Sequence, residues 1–301
     1  MRNENKIKGL TVVELLTVLA VMALLISLLL PAVSIVMNMA NTTKQKAQFT
    51  TISIALESFR NDFGDYPESS MSSANDYCGA QKLSEAMVGY DLFGFHPNSE
   101  FKSDGKWTTG PTPQEYTATD AVNLKARKGP YIEAEKAGAI RLGDGTGGKK
   151  GLYSGLSLPN LASDTFVLAD SYKRTYNFDI DGDGKSDTVK SGMPILYYKA
   201  RANKYKLDRG TQDDSIFDFR HNKDIVNGDV PWDKTKSHEL DEDIFYDTDS
   251  GNDTTSMKYI TNPALTNGTN KIPYNKGSFI LISAGKDGLY GTNDDIFNFE
   301  K

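Results

Sequence analysis

The chain has 301 residues, a net charge of −6 and a single cysteine, Cys78. An acidic balance argues against nucleic acid as a partner, because phosphate contacts draw on Lys and Arg. One cysteine excludes an intramolecular disulfide framework and a zinc ribbon, which leaves burial as its expected role.

A basic tip carrying Arg2, Lys6 and Lys8 runs into Gly9, and from Leu10 to Met37 the only ionisable side chain is Glu14. This apolar run exceeds the roughly 20 residues that cross a bilayer. Basic residues on its N-terminal side keep the tip cytoplasmic and export the remainder. A cleaved secretory signal has a shorter apolar core and small residues at its cleavage site, and this stretch has neither. Glu14 is the anomaly: an unpaired carboxylate in a membrane helix costs about 2.5–3.5 kcal/mol on insertion scales, which makes it a functional candidate in need of a partner. The plainer alternative is a Glu at the headgroup level.

Pro31 has no N–H to donate and is expected to kink the helix rather than end it, since apolar residues continue on both sides. Beyond it Phe49, Ile52, Leu56, Phe59 and Phe63 recur at three- and four-residue spacing, the pattern of an amphipathic helix, which Gly64 and Pro67 stop. The chain thus divides into a polar, basic tip at 1–9, a transmembrane half-helix at 10–37, an amphipathic half-helix at 38–63 and an exported domain at 64–301. Within that domain 68–170 and 201–275 read as insertions.

Leu83, Met87 and Leu92 predict a short surface helix within Cys78–Gly94. Gly, Pro, Ser and Thr around Trp107 predict a loop from Pro97 to Pro113, and the Asp- and Asn-rich stretch 201–275 predicts turns and short edge elements. Short β-branched or aromatic runs at Arg174–Phe178, Ile195–Lys199 and Ser278–Ile282 predict strands that pair antiparallel. The fold class is α+β, with a long N-terminal helix packed on a small antiparallel sheet. His96, His221 and His238 are scattered and expected to be exposed. No H-E-x-x-H, G-x-S-x-G or phosphate-binding glycine loop occurs, so no enzyme is expected.

Two acidic loops carry the most specific chemistry of the exported part. The C-terminal one, SAGKDGLYGTNDDIFNF, gathers Asp287, Asp294 and Asp295 around three glycines. Hard oxygen ligands on a turn suit calcium, against the alternative of a solvated Asp/Gly turn. The other, DIDGDGKSD, spaces Asp179, Asp181, Asp183, Lys185 and Asp187 at alternate positions with Gly184 at the bend, as in the first nine positions of an EF-hand loop. Lys190 stands where the bidentate Glu belongs and the flanks look like strands, so a shorter calcium turn, or an empty one, is expected.

The junction Gly9-Leu10-Thr11-Val12-Val13-Glu14 resembles the class III leader of type IV pilins and type II secretion pseudopilins, with Leu10 in place of the more usual Phe. The resemblance implies that prepilin peptidase cuts between Gly9 and Leu10 and that Leu10 is then N-methylated. Glu14 becomes the fifth residue of the mature chain, where the α-amine of a neighbouring subunit can neutralise it in a fibre. Pro31 matches a Pro of pilin-like helices. The segment SGMPILYY resembles the stretch that leads into the sheet of major pseudopilins, with Ser191 replacing a Trp. Likeness of the C-terminal loop to that of major pseudopilins implies side-chain calcium ligands at Asp287, Asp294 and Asp295, completed by the backbone carbonyls of Ala284, Leu289 and Thr292.

The same resemblance implies a pilin-like subunit with one pass through the bacterial inner membrane, its N-terminus cytoplasmic and its domain periplasmic. It would polymerise with itself and other pseudopilins into a fibre for type II protein secretion, driven by an assembly platform and ATPase. A surface type IV pilin or minor pilin is one alternative, although many such pilins have a C-terminal disulfide pair that Cys78 alone cannot form. A tip subunit usually lacks the acid that Glu14 supplies. From another class comes a membrane-anchored calcium-binding or catalytic domain that never polymerises.

Overall fold

The computed structural model describes residues 11–71, 77–108, 110–156, 161, 164–248, 259–267 and 270–301. The chain divides into two compact units, Met1–Thr43 and Lys44–Lys301. Helix α1, Val12–Phe63, runs through Pro31 as one continuous helix. In the first unit it is apolar all round, with Leu15, Leu19, Ile26, Leu30 and Ile35 each more than half exposed. A helix of this kind requires a surrounding other than water, and a peak mean hydropathy of 2.7 makes it a candidate membrane span. Its few hydroxyls are satisfied one turn back, Ser27 by the Leu24 carbonyl and Ser34 by that of Pro31, both at 2.8 Å. Such bonds remove the cost of exposing a hydroxyl to lipid.

In the second unit the predicted stripe of α1 is buried at Phe49, Ile52, Leu56 and Phe59, and Phe63 is half-buried at 4.5 Å from the Phe59 ring. Helix α2, Gly79–Val88, departs from the expected surface helix, because all ten of its residues are buried. It starts against the central sheet so closely that a Cβ at Gly79 would lie 2.2 Å from the Tyr197 carbonyl oxygen. Asn222 fixes this end, accepting the Ala80 N–H at 2.9 Å and donating to the Tyr197 carbonyl at 2.8 Å. Cys78, just before the helix, is fully buried as expected. Two of the polar residues that made α2 look like surface are satisfied inside: Gln81 accepts the Cys78 N–H and donates to Thr165, while Glu85 accepts the hydroxyls of Tyr77, Ser99 and Tyr116.

The stretch expected as a loop around Trp107 contains strand β1, Lys106–Trp107, which pairs with β2, Gln114–Glu115. Short helices α3, Ala121–Ala126, and α4, Ala134–Ala137, precede an antiparallel pair of β3, Ala139–Arg141, and β4, Phe166–Leu168. A hairpin follows from β5, Arg174–Phe178, and β6, Asp187–Ser191. Strand β7, Leu196–Lys199, pairs antiparallel with β8, Phe279–Ser283, which also pairs with β9, Ile296–Phe297. Helices α5, Lys223–Val226, and α6, Glu242–Tyr246, lie between β7 and β8 in sequence. The three predicted strand runs are therefore β5, β7 and β8, but they fall in two sheets rather than one.

Both faces of the β7–β8 pair are buried. Tyr197, Phe279 and Leu281 point with Ile195 into a core shared with α1 and α2. Leu196, Tyr198, Ile280 and Ile282 point the other way, into a second core with Phe217, Phe219, Phe245, Tyr259 and Tyr290. Most of these aromatics come from 201–275, so that stretch builds a core face instead of the turns and edge elements expected of it.

Asp170, directly after β4 and Ala169, joins three of these segments. Its Oδ1 accepts the N–H groups of Tyr172 at 3.1 Å and Met193 at 3.2 Å, and its Oδ2 accepts the Ser283 hydroxyl at 2.8 Å. Burial pushes its carboxyl up to about 7, against the opposing pull of these hydrogen bonds and of Arg174. A folded value above the ordinary 3.8 means that the fold favours the protonated acid. The contribution is complete below the unfolded value and is lost as pH rises through the folded one. The urea midpoint of the protein should therefore fall between about pH 4 and pH 7. Asp170→Asn keeps an acceptor for both N–H groups and cannot ionise, so it should flatten that decline. An identical decline in both proteins would remove Asp170 as its source.

Candidate functional site

Gly9 and Leu10 lie outside the described residues. At the start of α1, Thr11 donates from both its N–H and its Oγ1 to Glu14 Oε2 at 2.8 Å, and the Glu14 N–H donates back to Thr11 Oγ1 at 3.2 Å. This is a reciprocal capping box. The carboxylate that seemed to need an outside partner has donors within its own first turn. Thr-x-x-Glu ahead of an apolar run is the sequence signal that carried this role.

The β5–β6 hairpin turns through the second acidic loop. Asp179, Asp181 and Asp187 each place a carboxylate oxygen within 4.8 Å of the others, the one such group of three among the described residues. Asp179 organises the turn by accepting the N–H groups of Gly182 at 2.6 Å, Asp183 at 3.2 Å and Gly184 at 2.7 Å. What burial it has raises its carboxyl, but these donors outweigh it and hold the group below its ordinary value. Gly184 takes a φ of +84°, the left-handed backbone expected of the bend. Asp183 is turned away, accepting the Lys185 N–H at 2.8 Å and its Nζ at 3.3 Å. Three of the four aspartates named from the sequence thus converge, with the Lys185 carbonyl in the same turn.

In the C-terminal loop between β8 and β9 the three acids are spread differently. Asp294 accepts the Asp287 N–H at 2.8 Å and the Thr292 hydroxyl at 2.6 Å. Burial and the Asp294 carboxylate raise Asp287, while the donors on Asp294 hold that group low against its own burial. Asp295 turns inward, where its Oδ2 accepts the Tyr259 hydroxyl at 2.5 Å and the Gly291 N–H at 2.7 Å. Its Oδ1 is buried with no hydrogen-bond donor, and burial pushes the carboxyl up to about 8. The carbonyls of Ala284, Leu289 and Thr292 accept from Gly288, Thr292 Oγ1 and Asp295 respectively. Each keeps a second lone pair. The three carboxylates do not converge as those of the hairpin turn do, and Asp295 Oδ1 stands as a buried oxygen without a donor.

The three histidines are not exposed. His96 stacks on Trp107 with ring centroids 4.1 Å apart, and His238 Nδ1 accepts the Tyr290 N–H at 3.2 Å. His221 Nδ1 lies 2.8 Å from Ser69 Oγ and its Nε2 lies 3.8 Å from Asp218 Oδ2, a Ser-His-Asp grouping that sequence spacing did not show. Burial pushes His221 down to about 3, so the ring is neutral and has one N–H. Arg201 donates toward Nε2 at 3.3 Å, which leaves the hydrogen on the nitrogen facing Ser69. The serine then has no base to take its proton, and with Ser69 and Asp218 each 1% exposed and His221 4% exposed the grouping acts as a structural joint.

If calcium occupies these loops, melting of the full chain in detergent should shift upward with calcium and much less with magnesium, which demands a stricter octahedral shell. At about a hundred times the dissociation constant, one site adds about 2.7 kcal/mol. Asp294→Ala and Asp181→Asn should each remove part of the shift if both loops bind, and Asp294→Ala alone if only the C-terminal loop does. A melting temperature indifferent to calcium and chelator would leave both loops as hydrogen-bonded turns.

Comparison of the chain with protein-family models, with curated proteins and with solved structures gave no match.

Proposed function

We propose that the chain is a pseudopilin-like structural subunit, cleaved after Gly9, N-methylated at Leu10 and polymerised with its like into a periplasmic fibre for type II secretion. Its long helix would anchor it in the inner membrane with the N-terminus cytoplasmic, and calcium in the C-terminal loop would brace the domain. The observation that carries this reading is a coincidence at one helix start. A basic tip and a Gly-Leu junction lead directly into a Thr11–Glu14 capping box and then into a helix whose first half exposes apolar side chains on every face.

A membrane-anchored domain that does not polymerise is the second reading, and the same box favours it, because Glu14 is satisfied without a neighbour's amine. Two variants separate these readings. Glu14→Gln retains the box, since Gln serves at the third helical position as Glu does, but it has no charge. Glu14→Val removes both. In the fibre reading both variants are processed and both assemble at least tenfold less when they are the only copy, judged by the subunit content of purified fibres. Assembly by Glu14→Gln at the wild-type level would show that the box, and not the charge, is what matters.

Processing is tested separately by intact mass. The wild-type protein should lack residues 1–9 and carry one methyl group, and Gly9→Ala should retain its full length in the membrane fraction. Trimming of Gly9→Ala at the wild-type position would overturn the leader assignment.

A further inference from the structure

A groove of about 670 Å³ opens on the second unit, within the range of about 300–1,000 Å³ typical of ligand sites. Its floor is apolar, with Ile52 of α1, Ile132, Ile140 of β3 and Val189 of β6 among the lining residues. Residues 189–192 all line it in succession. Alternate side chains of a strand point to opposite faces, so three consecutive lining residues, Val189, Lys190 and Ser191 of β6, are the pattern of a strand that borders the groove with its edge. That edge is open among the described residues, since β6 pairs only with β5. Gln48, in the wall, donates to the Ala137 and Ala169 carbonyls and keeps a buried Oε1 with no donor of its own.

Charge around the groove is uneven. Lys44, Lys136, Lys173 and Lys190 line it against Glu135 and the buried Asp170. Lys136 pairs with Glu133 at 2.9 Å, while the other three lysines make no ion pair among the described residues. Lysine on a strand edge guards against indiscriminate pairing, and the same charge selects an acidic strand over a neutral or basic one.

We propose that this groove is a docking site for an extended peptide in which apolar side chains alternate with carboxylates, added as a strand along the open edge of β6. Main-chain hydrogen bonds to the edge would supply affinity and the apolar floor would take alternate side chains, as in other strand-addition complexes. The carboxylates would meet Lys173 and Lys190. The proposal does not rest on the fibre reading and holds equally for an anchored domain that never polymerises.

The probe is a fluorescein-labelled hexapeptide, Val-Asp-Val-Glu-Val-Asp, titrated into the full chain in detergent micelles and read by anisotropy. Binding should saturate, weaken with added salt as screening increases, and be absent for Val-Lys-Val-Lys-Val-Lys. N-methylation of alternate amides, which removes main-chain donors and leaves charge intact, should weaken it at least tenfold. The double variant Lys173→Glu/Lys190→Glu alters two exposed side chains and should also bind at least tenfold more weakly. Equal affinity for the N-methylated peptide or in the charge-reversed protein overturns the proposal, and the wild-type arms with modified peptides stand even if that variant fails to fold. Dodecanoate filling the site while the peptide does not bind would assign the groove to anionic amphiphiles and equally overturn it.

Discussion

The two strands Leu196–Lys199 and Phe279–Ser283 are buried on both faces, and the arrangement of the second unit follows from covering them. A sheet of three short strands, the third of only two residues, gains its stability from what packs on it. On one face that cover is the amphipathic half of α1 together with α2. The other face takes its cover from aromatic residues scattered through the Asp- and Asn-rich region between the strands. Polar connections and core are thus made of the same segments, which is why a chain with 38% hydrophobic residues supports two buried clusters.

Much of this was legible where neighbours in sequence are neighbours in space. The stripe Phe49, Ile52, Leu56, Phe59 follows helical spacing, and the runs at β7 and β8 are continuous because both of their faces are buried. The Asp179–Asp187 turn was legible for the same reason, since its acids and the N–H groups they accept lie within a few residues. Helix α2 was misread because Gln81 and Glu85 look like surface residues until Tyr77, Thr165 and Tyr116 are seen to partner them. Asp170 gave no signal at all, because two of its donors, Met193 and Ser283, are distant in sequence. The second core face was hidden by dilution, as Ile216-Phe217, Ile244-Phe245-Tyr246 and Tyr259-Ile260 are runs of only two or three apolar residues among turn-forming ones.

The two acidic loops show why composition alone does not define a site. In the hairpin turn the carboxylates remain largely solvated, and backbone N–H groups from the turn itself hold Asp179 in its charged form. In the C-terminal loop similar residues are drawn under the surface, where Asp295 is driven toward its neutral form and one of its oxygens lacks a donor. A cation would cost the first loop little rearrangement and give it little that water does not. For the second it would replace repulsion and desolvation by coordination.

Cys78 sits at the start of α2 with no exposed surface, and burial pushes its thiol up to about 12. Thiol–disulfide exchange proceeds through the thiolate, so the folded protein offers almost none of the reactive species and no route to reach it. The unfolded chain has no such protection, and its thiol returns to an ordinary value near 8.5. In an oxidising compartment the interval before α2 docks on the sheet is then the only period in which two copies can become covalently joined. Docking of that helix therefore also removes the thiol from reach of a second copy.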